Sequence, residues 1–105
     1  GIIGRIDDLM IVRGVNLYPS AIENLVRSFS DIDEFSVFVH QKQLLDEIEV
    51  QIEGSDPTAK QLQSAFRERF GLRAKVITVA TGSLPRYELK SRRFTDHRRM
   101  NKTNN

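Results

Sequence analysis

The 105-residue sequence predicts one α+β domain, in which a small sheet is covered by two helices and preceded by an N-terminal β-hairpin. Two observations carry this prediction. Segments with apolar residues at every third or fourth position stand between segments in which apolar and polar residues alternate. Proline and glycine occur where these segments begin or end, as turns and caps require. The predicted order of the core is βαββαβ-like.

The first elements are a hairpin and a helix. The apolar run 9–12 and the segment 15–18 are predicted as two short strands around Arg13 and Gly14, where glycine supplies the backbone angles of a tight turn. Ser20 and Glu23 form a capping-box pattern, which predicts that a helix of about ten residues starts at Ser20. Its apolar positions recur at three and four residues, so one face is predicted to be buried.

Two strands are predicted next from alternation, at 35–40 and 47–53, and the second has a strictly polar face. The polar stretch 41–46 connects them as a hairpin in an antiparallel or mixed sheet. The acidic residues of the second strand are predicted to form its solvent-exposed face: Asp46, Glu47, Glu49 and Glu53.

A second helix is predicted to start at Asp56 and Pro57, with Asp56 as the cap and proline at the first helical position. Gly71 stands where a left-handed C-cap is expected. A last strand follows at 75–80, and then a basic loop at 81–86.

Composition favours a soluble protein of a reducing cytoplasm. Hydrophobic residues make up 39% and charged residues 29%, and no apolar run approaches the roughly 20 residues of a membrane span. The sequence has no cysteine, which excludes disulfides and thiolate metal sites.

The net charge of +2 is unevenly distributed. Between 86 and 102 there are seven basic residues against Glu88 and Asp96, which leaves +5 in this segment and −3 elsewhere. This asymmetry favours an anionic partner, such as a nucleotide, a coenzyme or a nucleic acid. A solvated basic tail is the alternative, and 101–105 are predicted to be a disordered polar tail.

Residue patterns for a self-contained catalytic or metal site are weak. His40 and His97 are far apart and neither has a partner at ligand spacing, so positions on the surface or at strand ends are favoured. Asp7 and Asp8 lack further carboxylates nearby, which favours a turn or hinge over a cation site. No metal ligand is predicted.

Two segments contain residue patterns that the predicted secondary structure does not explain. The first, 4–23, contains G-R-x-D-D, R-G-V-N and P-S-x-I-E, and the second, 82–93, contains Pro85-Arg86 and Lys90. Together they resemble the two signature segments of the C-terminal domain of the adenylate-forming superfamily, closest to the phenylacetate-CoA ligase branch. The resemblance covers about residues 1 to 98. It implies that 1–100 is the lid domain of an acyl-CoA ligase, with a hinge region at 1–8.

The resemblance also implies a two-step activity. A carboxylic acid, here a small aryl acid, would react with ATP to form an acyl-adenylate, and coenzyme A would then displace AMP. ATP, coenzyme A and Mg²⁺ would be bound mainly by an N-terminal adenylation domain, which would be the partner of this domain. The isolated domain would be inactive.

Site residues follow from the same resemblance. Lys90 matches the catalytic lysine, Asp7 the hinge residue, and Arg5 an arginine that approaches the nucleotide. Gly14 matches the glycine beside which the pantetheine passes. The remaining cofactor-binding candidates are Arg13, Asn16 and Arg86. The family usually has glycine before the lysine, whereas this chain has Leu89, which would be strained if that position had positive φ.

A different class remains as the alternative: a ferredoxin-like module that binds nucleic acid or protein through its basic tail. Its strands lack the closely spaced aromatic residues of an RNA-stacking platform, and no membrane or nucleic-acid partner is predicted.

Overall fold

The computed structural model describes residues 3–98, and it confirms the predicted α+β class. Residues 1–2 of the hinge region and the predicted tail at 101–105 lie outside the described residues. The strands are β1 (Met10–Val12), β2 (Val15–Leu17), β3 (Phe35–Lys42), β4 (Leu45–Ile52), β5 (Ala74–Thr78) and β6 (Phe94–Asp96). The helices are α1 (Pro19–Arg27), α2 (Asp56–Phe70) and a 3₁₀ turn at Lys90–Arg93.

The main sheet is mixed and has the order β5-β4-β3-β6. β3 and β4 are antiparallel, whereas β5 and β6 each run parallel to their neighbour. β1 and β2 form a separate two-stranded sheet. The fourth strand of the main sheet is therefore β6, which lies beyond the basic loop and was not predicted.

β6 has three residues, too few for an alternation signal, and its place is set by tertiary packing. Phe94 is 1% exposed and its ring packs edge-on against Phe35, with the ring centres 6.1 Å apart. Burial of such a side chain stabilises by about 1.5–3 kcal/mol, which holds the short strand beside β3.

Both hairpins close with two residues in the left-handed region. Arg13 and Gly14 have φ of 51° and 79° between β1 and β2. Gln43 and Leu44 have φ of 53° and 71° between β3 and β4. Paired positive φ angles are typical of the tight turns that match strand twist. The second turn is therefore shorter than the predicted connection at 41–46, since the two strands continue to the turn itself.

The predicted capping box of α1 is wrong. The helix begins at Pro19 after Tyr18, with no side-chain cap, because proline already has the backbone angle of the first turn. Ser20 lies inside the helix, and its amide donates to the carbonyl of Ile6 (2.9 Å). Glu23 is buried and takes part in an ion-pair network described below.

The ends of α2 match the prediction more closely. Ser55, and not Asp56, is the N-cap, and its hydroxyl accepts from the amide of Thr58 (3.2 Å). Asp56 is the first helical residue, so the helix begins one residue earlier than predicted, with Pro57 as its second residue. Gly71 has φ of 72° and is the predicted left-handed C-cap.

One continuous core joins these elements. Both helices and the main sheet contribute buried apolar side chains, and so do Met10, Val12 and Leu17 of the N-terminal hairpin, which fixes the hairpin to the domain. In the part of the chain that the structure describes, no helix has the length and apolar character of a membrane span.

Candidate functional site

The segment 86–93, here called the strap, carries Lys90 across one end of the β3–β4 pair. Lys90 is the first residue of the 3₁₀ turn, and its side chain is exposed. Among residues 3–98 no carboxylate lies within ion-pair distance of its ammonium group. Its charge is therefore available to an anion that approaches the strap.

Leu89, in place of the family's usual glycine, is accommodated without backbone strain. Its φ and ψ are −106° and 130°, which is ordinary extended backbone, and its side chain is 59% exposed. Leucine at this position is therefore compatible with the observed path of the strap to Lys90.

Glu53 holds the start of the strap. Its carboxylate accepts two hydrogen bonds from the Arg86 guanidinium (2.8 and 2.9 Å) and one each from the amides of Gly82 and Leu84 (both 2.9 Å). The bonds from Arg86 first, and those from the two amides, lower the pKa of Glu53 to about 2, although burial opposes this.

The prediction that Glu53 belongs to the solvent-exposed face of β4 is wrong. β4 ends at Ile52, so the alternation stops there, and Ile52 and Glu53 are both fully buried. A buried carboxylate requires a partner, and Arg86 supplies it. The interaction also fixes the guanidinium of Arg86, whose side chain is otherwise 55% exposed.

A second ion-pair network holds the other end of the strap. Arg93 donates to both oxygens of Glu34 (2.7 and 3.3 Å), and Arg27 lies 3.5 Å from Glu34. Burial opposes ionisation of Glu34, but the bonds from Arg93 and from the Phe35 amide outweigh it and place the pKa of Glu34 below its usual value. Arg93 also lies 3.9 Å from buried Glu23.

The hinge candidates form an exposed turn. The amide of Arg5 donates to the carboxylate of Asp8, and the amide of Asp8 donates to the carbonyl of Arg5, both at 3.0 Å. Asp7 lies inside this turn with its side chain exposed. Between residues 3 and 98 no three carboxylate or histidine side chains are grouped closely enough to hold a metal ion.

The tip of the β1–β2 hairpin carries Arg13, Gly14 and Asn16, all exposed. A Cβ built on Gly14 would have no atom within 4 Å, so the positive φ, and not crowding by the described chain, is what favours glycine. Arg98 ties this hairpin to β4, since its guanidinium donates to the carbonyl of Ile11 and to Asp46 (3.0 Å).

The structure thus separates the two main groups of predicted site residues. The strap contacts the start of β3, where the hydroxyl groups of Tyr87 and Ser36 are 2.7 Å apart. The hairpin tip lies beside Asp46, which pairs with Gln41 further along β3. The two positions are five residues apart on β3, or roughly 17 Å at the rise of a strand. Lys90 and Gly14 therefore lie towards opposite ends of the β3–β4 pair.

His97 is exposed and directly follows β6, as predicted, whereas His40 lies inside β3, two residues before its end, and is half-buried. Nδ1 of His40 is 3.9 Å from a carboxylate oxygen of Glu47, its cross-strand partner. The ring of His97 stacks on Phe38, with the ring centres 5.8 Å apart.

The two carboxylates that hold the strap, Glu34 and Glu53, are not among the site residues predicted from the sequence. Glu34 precedes a strand and has no local pattern. For Glu53, the signal was its position directly after the last apolar residue of β4 and before Gly54, where the alternation ends.

Comparison with known proteins places these features in a family. Residues 14–98 match the family described as AMP-binding enzyme C-terminal domain. Curated relatives include the phenylacetate-coenzyme A ligases of Thermus thermophilus and Escherichia coli, each 30% identical over 93% and 92% of this chain. The chain spans 28% and 25% of the length of these two relatives.

Solved structures of ligases have folds similar to that of this chain. A domain of phenylacetate-coenzyme A ligase from Bacteroides vulgatus has the same fold, with a TM-score of 0.78, 22% identity and coverage of 90% of this chain and 97% of that one. A 2-hydroxyisobutyryl-CoA ligase in complex with 2-HIB-AMP and CoA, in its thioesterification state, matches with a TM-score of 0.79 and 30% identity, over 90% of this chain and 22% of that one. The same ligase in its postadenylation state matches with a TM-score of 0.73.

Proposed function

The chain belongs to the family of AMP-binding enzyme C-terminal domains, in its phenylacetate-CoA ligase branch, and from this membership we propose that it is the mobile lid of an aryl-acid CoA ligase. One observation supports the lid role most directly: Lys90 and Gly14 lie towards opposite ends of the β3–β4 pair. Two groups this far apart serve one reaction centre in turn if the domain rotates between the half-reactions.

In the first half-reaction the acid's carboxylate oxygen bonds to the α-phosphorus of ATP, and the bond to the pyrophosphate oxygen breaks. Negative charge increases around the α-phosphate in the transition state. The exposed ammonium group of Lys90, which has no carboxylate partner within residues 3–98, supplies a compensating charge. Arg5 is assigned to the nucleotide side of this state, and Arg86, whose guanidinium is bound to Glu53 and to the carbonyl of Leu84, is assigned to supporting the loop beside it.

In the second half-reaction the thiol sulfur of coenzyme A bonds to the acyl carbon, and AMP leaves with the bonding electrons. The tip of the β1–β2 hairpin is assigned to this step. At Gly14 no side chain projects from the turn, and the surrounding space is open, which suits the passage of a narrow chain such as pantetheine. Arg13 and Asn16 are exposed beside it.

The turn around Asp7 is assigned as the hinge. The turn is held by short-range bonds between Arg5 and Asp8 and by the bond from the Ser20 amide to the Ile6 carbonyl. Asp7 itself is exposed, so its backbone angles can change without uncovering the core. Mg²⁺, which would neutralise phosphate charge, is assigned to the N-terminal adenylation domain. Residues 3–98 offer no cluster of side chains that fits it.

The decisive test is Lys90→Ala in the full-length ligase that carries this domain. We expect ATP–pyrophosphate exchange to fall by about 10² to 10³, while thioester formation from supplied acyl-adenylate stays within a few-fold. Lys60→Ala, which removes an exposed lysine of α2, is the matched control and should leave both steps unchanged. Exchange within a few-fold of wild type in Lys90→Ala would refute the assignment, as would exchange catalysed by the isolated chain, which we expect to be inactive.

A further inference from the structure

The strap that presents Lys90 is held at both ends by carboxylates that lie at one end of the β3–β4 pair. Phe35 of β3 pairs with Ile52 of β4, and Glu34 and Glu53 are the residues just outside this pair. Their backbones remain joined, because the amide of Glu53 donates to the carbonyl of Glu34 (2.9 Å). Glu53 then binds the start of the strap through Arg86, and Glu34 binds its end through Arg93.

We propose that Glu53 is a positioning residue for adenylation: its buried carboxylate fixes the loop 82–86 and the start of the strap, so that the ammonium group of Lys90 is placed on the α-phosphate. This inference rests on the proposed function of Lys90. It adds a residue that does not touch substrate and acts through Arg86 and the backbone.

The contacts of Glu53 fit this role better than a general contribution to the core. Each of its oxygens accepts one bond from Arg86 and one from a loop amide, Gly82 for Oε1 and Leu84 for Oε2. All four side-chain bonds therefore go to the loop and to the first residue of the strap. Without the carboxylate, two amide donors and a guanidinium would lose their acceptor at once.

The path from Glu53 to Lys90 is short. Arg86 is four residues before Lys90, and between them the hydroxyl group of Tyr87 bonds to that of Ser36 (2.7 Å). Beyond Lys90, Arg93 is fixed to Glu34. A segment held this closely at both ends transmits a shift of its start to the lysine, and a misplacement of about 1 Å at a reacting centre can cost about 10²-fold in rate.

The first experiment uses the isolated chain and is independent of catalysis. Glu53→Gln keeps the shape of the side chain but removes its charge, and we expect hydrogen exchange at the amides of Gly82 and Leu84 to accelerate about tenfold or more. Glu49→Gln is the matched control, because Glu49 lies on β4 and, within residues 3–98, its side chain accepts a hydrogen bond only from Gln51 of the same strand (2.9 Å). Unchanged exchange in Glu53→Gln would overturn the inference and leave the proposed function intact.

The second experiment measures the two half-reactions in the full-length ligase. We expect Glu53→Gln to lower kcat of adenylation about tenfold or more with little change in KM for ATP, because a displaced lysine weakens transition-state and not ground-state binding. Thioester formation from supplied acyl-adenylate should stay within about twofold. An equal loss in both half-reactions would overturn the positioning role.

A milder variant covers the case in which Glu53→Gln does not fold. Tyr87→Phe removes only the hydroxyl contact to Ser36, and it should lower adenylation kcat about two- to fivefold while sparing the thioester step. If Glu53→Gln does not fold and Tyr87→Phe has normal adenylation, the proposal that the strap positions Lys90 is overturned. If Lys90→Ala leaves adenylation intact, the proposed function fails as well, whatever hydrogen exchange shows.

Discussion

Replacing Arg93 with methionine should destabilise the isolated chain, because it leaves buried carboxylates without their main cation. The Arg93 side chain is 9% exposed, and those of Glu34 and Glu23 are 5% and 7% exposed. One oxygen of Glu23 already has no hydrogen-bond partner in the described structure. Methionine retains the stacking volume over the Phe35 ring, which isolates the loss of charge.

The expected magnitude follows from these contacts. Removing one partner of a buried ion pair costs about 3–5 kcal/mol, since the other charge stays buried. Arg27 lies 3.5 Å from Glu34 and remains a partial partner, so we expect a smaller cost of about 2–3 kcal/mol. Arg92→Met, at the exposed neighbouring position, should change the free energy of unfolding by less than about 0.5 kcal/mol.

Urea unfolding followed by circular dichroism measures this difference, with an unchanged slope as the sign that the folded state is retained. Adding Glu34→Gln to Arg93→Met should restore part of the loss, because the unpaired charge is removed. A free energy of unfolding for Arg93→Met within about 0.5 kcal/mol of wild type would refute the reasoning, as would a further loss in the double variant.

Three further predictions concern the hairpin, the hinge and pH. Gly14→Asn tolerates the positive φ but adds a side chain, so it should slow thioester formation by about tenfold and spare adenylation in half-reaction assays. Gly71→Asn, at a similar φ in the C-cap of α2, is the control and should leave both half-reactions unchanged. If Gly14→Asn slows both half-reactions equally, the turn itself is damaged and the prediction is wrong. Asp7→Pro should slow the thioester step more than adenylation, because a fixed φ hinders the hinge, and a selective loss of adenylation would contradict this. The pKa of Glu53 falls from 4.5 to about 2 on folding, so the ionised carboxylate stabilises the folded chain fully above pH 4.5, and this stabilisation is lost as the pH falls towards 2. The urea midpoint of Glu53→Gln should therefore decline less steeply with acid than that of the wild type, and parallel curves would exclude the contribution.

Local patterns were sufficient for most of the fold. The alternation in β3 and β4, the glycine in the β1–β2 turn and the glycine that ends α2 each reflect a preference of a few adjacent residues, and all appear in the structure. The capping pattern at Ser20 failed for a physical reason. Pro19 starts the helix one residue earlier, and the buried network draws in Glu23, so neither side chain caps.

The sequence by itself determined the α+β class, the family and the candidate residues Lys90 and Gly14, because periodicity and signature motifs are properties of neighbouring positions. Only the tertiary structure decided how β6 completes the sheet, which residues hold the strap, and that Lys90 and Gly14 lie far apart. Glu53 and Arg86 are 33 residues apart in the chain, and Glu34 and Arg93 are 59 apart. The path of the whole backbone determines such partners, because it brings charges that are distant in sequence to one buried end of the β3–β4 pair, where each must be paired. No local pattern encodes that requirement.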